Sequence, residues 1–263
     1  MNETPAEFNR PHITDVAWCP GCGGHILHKE IHSALLELHI EPENLITLSE
    51  IDEAIKQSGR KLVVIVESGD SDMPGEGGNH FIHALRKNAD VTVIVHNNVV
   101  YDPTTPQPSA ASQRSIKSPA RVNGEKLKSF NPLEIALVMN APFIARCLAG
   151  DVEQTKIMIK EAIAFKGFSV VDICQPCVIF NKLNTCHWFK KKIHYLPKGH
   201  DTTDHNAAFR LATGSGKLPL GILFRHEEGN VYEDLIGIDS TPLFQQQQQH
   251  DQKHSQRMTE AYR

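Results

Sequence analysis

The chain is poor in aromatic residues, which make up 6% of its 263 positions, and it contains no long apolar run. A membrane-spanning helix needs about 18 to 20 consecutive apolar residues, so none is expected and a membrane is not an expected partner. The first residues, Met1-Asn-Glu-Thr-Pro-Ala-Glu7, have neither the basic end nor the apolar stretch of a secretory signal, which makes the cytoplasm the expected location. There is no excess of positive charge either. Lys and Arg number 27 against 31 Asp and Glu, for a net charge of −4, and no Lys/Arg cluster is interleaved with aromatics, so nucleic acid is not an expected partner. The six cysteines are few for a disulfide scaffold, and in a cytoplasmic chain they point to metal or redox chemistry.

What is present is the balance of a single soluble globular domain, 40% hydrophobic and 22% charged. Residues 1–10 read as a loose polar arm and residues 11–243 as the domain. Residues 244–263, with Gln245 to Gln249 at their start, read as a low-complexity tail. Continuous β-branched runs at Leu62–Val66, Val91–Val95, Phe168–Ile173 and Leu220–Phe224 fit strands covered on both faces. Helical stretches at 24–38, 77–88, 132–140 and 152–166 lie between them. The alternation predicts an α/β fold with a mostly parallel sheet flanked by helices. The first helix brings His25, His28, His32 and His39 together at one edge, which reads as a solvated face rather than a metal site.

Two loops carry the chemistry. After the run ending at Val66 comes Glu67-Ser-Gly-Asp-Ser-Asp-Met-Pro-Gly-Glu-Gly-Gly-Asn-His80, and after Val95 comes His96-Asn-Asn-Val-Val-Tyr101. Strand, loop, helix and second strand form one βαβ unit, and its right-handed crossover puts both loops at the carboxyl edge of the sheet, where open α/β sheets bind ligands. Asp70 and Asn98, 28 residues apart, can then converge on a hard cation such as Mg²⁺, which prefers oxygen ligands completed by phosphate and water. The glycines let backbone N–H groups approach a phosphate, and the next helix offers its N-terminus to the negative charge.

Two further stretches are Trp18-Cys-Pro-Gly-Cys-Gly23 and Asp172-Ile-Cys-Gln-Pro-Cys-Val-Ile-Phe-Asn-Lys-Leu-Asn184. With the loops above, with Ala141–Arg146 and with Lys166-Gly-Phe168, they make the chain resemble the β subunit of 2-oxoacid:ferredoxin oxidoreductases from about residue 16 to 240. The resemblance implies a thiamine diphosphate-binding fold and a subunit that acts with an α-type partner. The implied reaction oxidatively decarboxylates a 2-oxoacid, of pyruvate or 2-oxoglutarate type, to acyl-CoA and passes electrons to ferredoxin. By motif, Asp70, Asn98 and the carbonyl of Val100 would be Mg²⁺ ligands. Ser71, Asp72, Asn97, Tyr101 and Thr104 would line the diphosphate, and the partner would supply the glutamate that activates the cofactor.

The resemblance also implies an iron–sulfur cluster of 4Fe–4S type. Cys19, Cys22 and Cys177 match three of its ligands, whereas the segment that should carry the other reads Ser49-Glu-Ile-Asp-Glu53 and has no cysteine. Cys174 forms a second C-x-x-C pair with Cys177 and offers a fourth thiol, or else packs as a small core hydrophobe. Asp52 or Glu53 offers an oxygen ligand instead. Cys147 and Cys186 read as structural. Between about Glu53 and Ala54 the chain also lacks a family segment bearing a His and a His-Gly-Arg. The family's Gly-Asp-Gly-Asp stands here as Gly69-Asp-Ser-Asp72, and its Thr-Gly-Gly-Gln as Thr104-Thr-Pro-Gln107. Losing one or two charge-assisted phosphate hydrogen bonds would weaken cofactor binding roughly tenfold to several hundredfold. Two alternatives therefore stand beside the enzyme: a non-catalytic subunit that keeps the fold, and a zinc-stabilised binding protein built on the two C-x-x-C pairs.

Overall fold

The computed structural model describes residues 18–48, 62–73, 77–101, 107–109, 123, 126, 129–181, 184–214, 216–226 and 230–235. The expected arm, the tail, Thr104, Asp52, Glu53 and the site of the missing segment lie outside the described residues. In chain order the elements are α1 (Gly24–Glu37), β1 (Leu45–Leu48), β2 (Val63–Gly69), α2 (Gly78–Lys87), β3 (Thr92–Asn97), β4 (Val100–Tyr101), β5 (Gln107–Pro108) and α3 (Pro132–Val138). There follow β6 (Phe143–Leu148), α4 (Val152–Ala164), β7 (Ser169–Cys174), α5 (Cys186–Lys192), β8 (Ile193–Tyr195), α6 (His205–Thr213), β9 (Leu218–Arg225) and α7 (Tyr232–Leu235).

Among the described residues, seven strands form one sheet in the order β1-β2-β3-β7-β6-β9-β8. The first five pair in parallel, and β9 runs antiparallel to β6. Because β2, β3 and β7 pair in parallel, the loops that follow them all leave one edge of the sheet.

Every residue of β6 and of β7 is buried, the signature of strands covered on both faces. Side chains alternate between the two covers. Val64, Val66, Val93, Val95 and Val170 join Phe81, Leu133 and Ala208 on the face covered by α2, α3 and α6. Ile65, Ile94, Val171 and Ile173 join Leu27, Ile31 and Ile159 on the face covered by α1 and α4. Phe81 and Phe168, both fully buried, meet edge to face with centroids 5.9 Å apart. Each such ring contributes about 1.5 to 3 kcal/mol by leaving water.

The helix ends follow from local chemistry. Asn131, Asp151, Thr185 and Asp204 cap α3, α4, α5 and α6 by accepting a backbone N–H two or three residues on. Asn88 ends α2 in the left-handed conformation, φ 51°, and its side-chain oxygen accepts from Phe168 N at 2.9 Å. That bond ties the end of α2 to the start of β7.

Candidate functional site

Asp70 is the first residue beyond β2. Its backbone N–H donates to the carbonyl of His96 at 3.2 Å, and its carboxyl is fully buried. Burial pushes that carboxyl up to about 7, against a hydrogen bond from the Ser109 hydroxyl to Oδ2 and with the charge of Asp172 adding to the rise. Its other oxygen, Oδ1, is buried without a hydrogen-bond partner, and so is the hydroxyl of the neighbouring Ser71. Buried polar atoms are nearly always paired, so two orphans side by side mark a place where a ligand belongs. The turn is tight. A Cβ on Gly69 would come within 2.9 Å of Asp72 Oδ2, and one on Gly77 within 3.2 Å of the carbonyls of Asp72 and Met73. Asp72 itself is exposed.

The facing loop follows β3. Asn98 Oδ1 accepts from Val100 N at 2.8 Å across Val99, which has φ 59°. A β-branched residue in the left-handed region is a genuine outlier and costs about 1 to 3 kcal/mol. The cost is met from outside the loop: Asn181 Nδ2 lies 3.5 Å from the Asn98 carbonyl, and Asn181 and Asn184 brace one another through bonds of 3.0 and 2.9 Å. The structure therefore brings the Asp70 and Asn98 loops together. Val100 and Tyr101 follow as β4, and only the backbone of Tyr101 is described.

Asn97 closes β3. Its Nδ2 donates to Asp172 Oδ1 at 2.9 Å, while Arg146 Nε donates to Asp172 Oδ2 at 2.7 Å. Arg146 and Asp172 are cross-strand partners on β6 and β7 and are both buried. Asn97 Oδ1 is a third buried atom without a partner. Asn97 and Arg146 line a cavity of about 370 Å³ together with Trp188, Lys192 and Lys217.

The cysteines fall into two groups. Cys19 and Cys22 form a turn in which Cys22 N donates to Cys19 O at 3.0 Å, with Gly21 at φ 78°. Cys22 Sγ accepts from Gly24 N at 3.4 Å and from Gln175 Nε2 at 3.5 Å, and Cys177 Sγ accepts from Phe180 N at 3.3 Å. A Cβ on Gly21 would touch Val178, so the two cysteine-bearing loops are adjacent. Cys174, by contrast, is buried with Leu148, Phe189 and Leu220, where burial pushes its thiol up to about 12. Cys147 is buried and Cys186 exposed. Among the described residues no three His, Cys, Asp or Glu side chains converge at metal-binding spacing. The described thiols therefore do not make a four-ligand cage. The oxygen donors do fit a diphosphate held through a divalent cation: a buried carboxylate oxygen, a buried hydroxyl and a braced Asx turn at one sheet edge.

Sequence reasoning reached Asp70, Ser71, Asn97 and Asn98 because they follow directly on readable strands. It missed Ser109, Asn181, Gln175 and the role of Arg146. For Arg146 the available signal was a charged residue set in the otherwise apolar run of β6.

The doubly covered, mostly parallel sheet with these two loops at its carboxyl edge is an α/β fold, and comparison with known proteins identifies it as the thiamine diphosphate-binding kind. Residues 54–173 match the family described as thiamine pyrophosphate enzyme, C-terminal TPP binding domain, and residues 177–238 match the C-terminal family of the pyruvate ferredoxin oxidoreductase beta subunit. The chain is 30% identical to a 2-oxoacid:ferredoxin oxidoreductase subunit beta of a Sulfolobus species, over 85% of this chain and 86% of that one. It is 31% identical to the 2-oxoglutarate oxidoreductase subunit KorB of Mycobacterium tuberculosis, over 64% of this chain and 52% of the relative. The solved 2-oxoglutarate:ferredoxin oxidoreductase from Magnetococcus marinus, with 2-oxoglutarate, coenzyme A and succinyl-CoA bound, superposes with a TM-score of 0.82 at 27% identity, covering 90% of both chains. The protein belongs to the family of 2-oxoacid:ferredoxin oxidoreductase β subunits. No described helix is long and apolar enough to cross a membrane.

Proposed function

We propose that this chain is the thiamine diphosphate-binding subunit of an oxidoreductase that converts a 2-oxoacid and CoA to acyl-CoA, working with an α-type partner and with ferredoxin as electron acceptor. The observation that carries the reading is the group of orphaned buried oxygens at the sheet edge, Asp70 Oδ1, Ser71 Oγ and Asn97 Oδ1, where a βαβ edge presents its ligand. Asp70, Asn98 and the carbonyl of Val100 would hold Mg²⁺. Ser71, Asp72, Asn97, Tyr101 and Thr104 are assigned to the diphosphate. Bound thiamine diphosphate supplies the electron sink that decarboxylation of a 2-oxoacid requires.

The chain's own residues position and shield. Asp70 offers a carboxylate oxygen in a site closed to water, where a charge interaction is strongest. Ser109 holds the other carboxylate oxygen and so fixes the direction of the first. Asn98 shapes the turn that presents the Val100 carbonyl, and Asn181 braces it from the loop after β7. Ser71 adds a buried hydroxyl donor beside the Asp70 carboxyl.

Cys19, Cys22 and Cys177 are the candidates for thiolate ligation of an iron–sulfur cluster, whereas Cys174, buried with Leu148, Phe189 and Leu220, is the less suited thiol of its pair. Iron and acid-labile sulfide, measured on the chain purified anaerobically with its partner, test that assignment. The absent fourth cysteine favours a second reading, a subunit that keeps the cofactor loops and the assembly but has lost turnover. Thiamine- and CoA-dependent reduction of a viologen dye by the assembled complex separates the two. Turnover supports the enzyme, and silence with intact assembly and bound cofactor supports the second reading.

A further inference from the structure

Asp172 stands at the centre of the sheet. On one side it is the register partner of Arg146, and on the other of Val95, two residues before Asn97 on the same face of β3. Both of its carboxylate oxygens are engaged, Oδ2 by Arg146 and Oδ1 by Asn97. Oδ2 accepts from the guanidinium at 2.7 Å and Oδ1 from the amide, and carboxylate oxygens only accept. Asn97 must therefore turn its NH₂ toward Asp172. Its amide oxygen is left facing the other way, buried, unpartnered and beside the cavity that Arg146 also lines.

We propose that the buried Arg146–Asp172 pair is a positioning device that fixes the polarity of the Asn97 amide, so that Asn97 presents a hydrogen-bond acceptor to the bound cofactor. The group it takes is then a donor, such as a metal-bound water, and not a bare phosphate oxygen, because two acceptors facing each other repel. This rests on the cofactor assignment above and revises it at Asn97, which would meet a hydrogen-bond donor beside the diphosphate and not a phosphate oxygen. It also accounts for an ion pair in the sheet core that stability alone does not require, since buried pairs are often no better than apolar residues of the same size.

The test is a set of variants of the assembled complex, with thiamine diphosphate affinity measured by calorimetry in the presence of Mg²⁺. Asn97→Ala weakens binding about tenfold, the worth of one hydrogen bond. Arg146→Met with Asp172→Leu replaces the pair without stranding a buried charge, keeps the melting temperature and the assembly, and weakens binding by a similar factor. Adding Asn97→Ala to that background has little further effect, because the amide is already unoriented. Arg146→Gln with Asp172→Asn restores an acceptor for Asn97 and brings affinity back to within about threefold of wild type, a rescue that a purely structural role would not produce. Wild-type affinity in the Met/Leu double variant, or effects that simply multiply, would overturn the positioning. Failure of the wild-type complex itself to bind the cofactor would overturn the functional reading and with it the ligand assigned to Asn97.

Discussion

Gln175 Nε2 lies 3.5 Å from Cys22 Sγ, so the residue that follows β7 touches the C-x-x-C turn ahead of α1. The same side chain reaches the other way. With its nitrogen donating to sulfur, Gln175 Oε1 accepts from His96 Nδ1 at 3.0 Å, and His96 Nε2 lies 3.3 Å from Glu67 Oε2. A continuous polar chain thus runs from β2 through β3 to the cysteine turn and joins the cofactor edge to the thiols.

That chain predicts the effect of a single methyl group. A Cβ on Gly23 would stand 2.8 Å from Gln175 Cγ, whereas one on Gly24 would first meet the ring of Trp18, at 3.1 Å. Gly23→Ala should displace Gln175 from both partners and cost about 1 to 3 kcal/mol, lowering the melting temperature by several degrees, and Gly24→Ala should cost less. Equal melting temperatures for the two variants would mean that the Gln175 contact is not held firmly.

The backbone at Val99 predicts a gain. At φ 59° a valine is strained, whereas asparagine tolerates the left-handed region. Val99→Asn should raise stability by roughly 0.5 to 1.5 kcal/mol while leaving the turn and cofactor affinity unchanged. Differential scanning calorimetry checks the first and titration the second. A fall in stability would show that the Val99 side chain contributes more by packing than its backbone costs.

Much of this architecture was legible in the sequence, and the exceptions share a cause. β2, β3, β7 and β9 announced themselves as β-branched runs, and α1 to α4 as helical stretches, with ends within about two residues of those observed except at β2, which runs three residues further, to Gly69. β6 did not, because Arg146 interrupts Phe-Ile-Ala-Arg-Cys-Leu, and only the register that sets it opposite Asp172 makes a buried arginine tolerable. The short edge strands β1 and β8 carried too few residues to show a period. At the site, Asp70 and Asn98 could be placed because each follows its own strand. Ser109, Asn181 and Gln175 could not, since their roles depend on contacts across 39, 83 and 79 positions of chain.

Glu30 predicts a pH dependence. It lies on the buried face of α1, only 3% exposed, with both carboxyl oxygens unpartnered. Burial, reinforced by Asp151 and Glu153 and opposed by Lys156, pushes its carboxyl up from 4.5 to about 7. Between those values the folded state holds a proton that the unfolded state has released, so stability falls as pH rises across that window, and the loss is complete above it. Glu30→Gln should match wild type near pH 4.5 and exceed it by roughly 1 to 3 kcal/mol at pH 8. Denaturant melts at the two pH values read this directly. A difference independent of pH would place the effect of the substitution in packing rather than charge.

Asp70 predicts a crossing of stability and function. Its carboxyl is fully buried, has one oxygen without a partner and lies near the charge of Asp172, so without a ligand it is a burden on the fold. Asp70→Ala removes that burden and takes away one acceptor of the Ser109 hydroxyl, for which a water can substitute. The variant, in complex with its partner and without cofactor, should melt at or above the wild-type temperature. With Mg²⁺ and thiamine diphosphate at about a hundred times the dissociation constant, the wild type should gain about 2.7 kcal/mol by mass action, and the variant should gain nothing. The order of the two melting curves then reverses on adding cofactor. An Asp70→Ala protein that is stabilised by the cofactor as much as the wild type would move the cation away from this loop. One that fails to fold without cofactor would mean that the buried carboxylate holds the β2 turn through Ser109 more strongly than its desolvation opposes it.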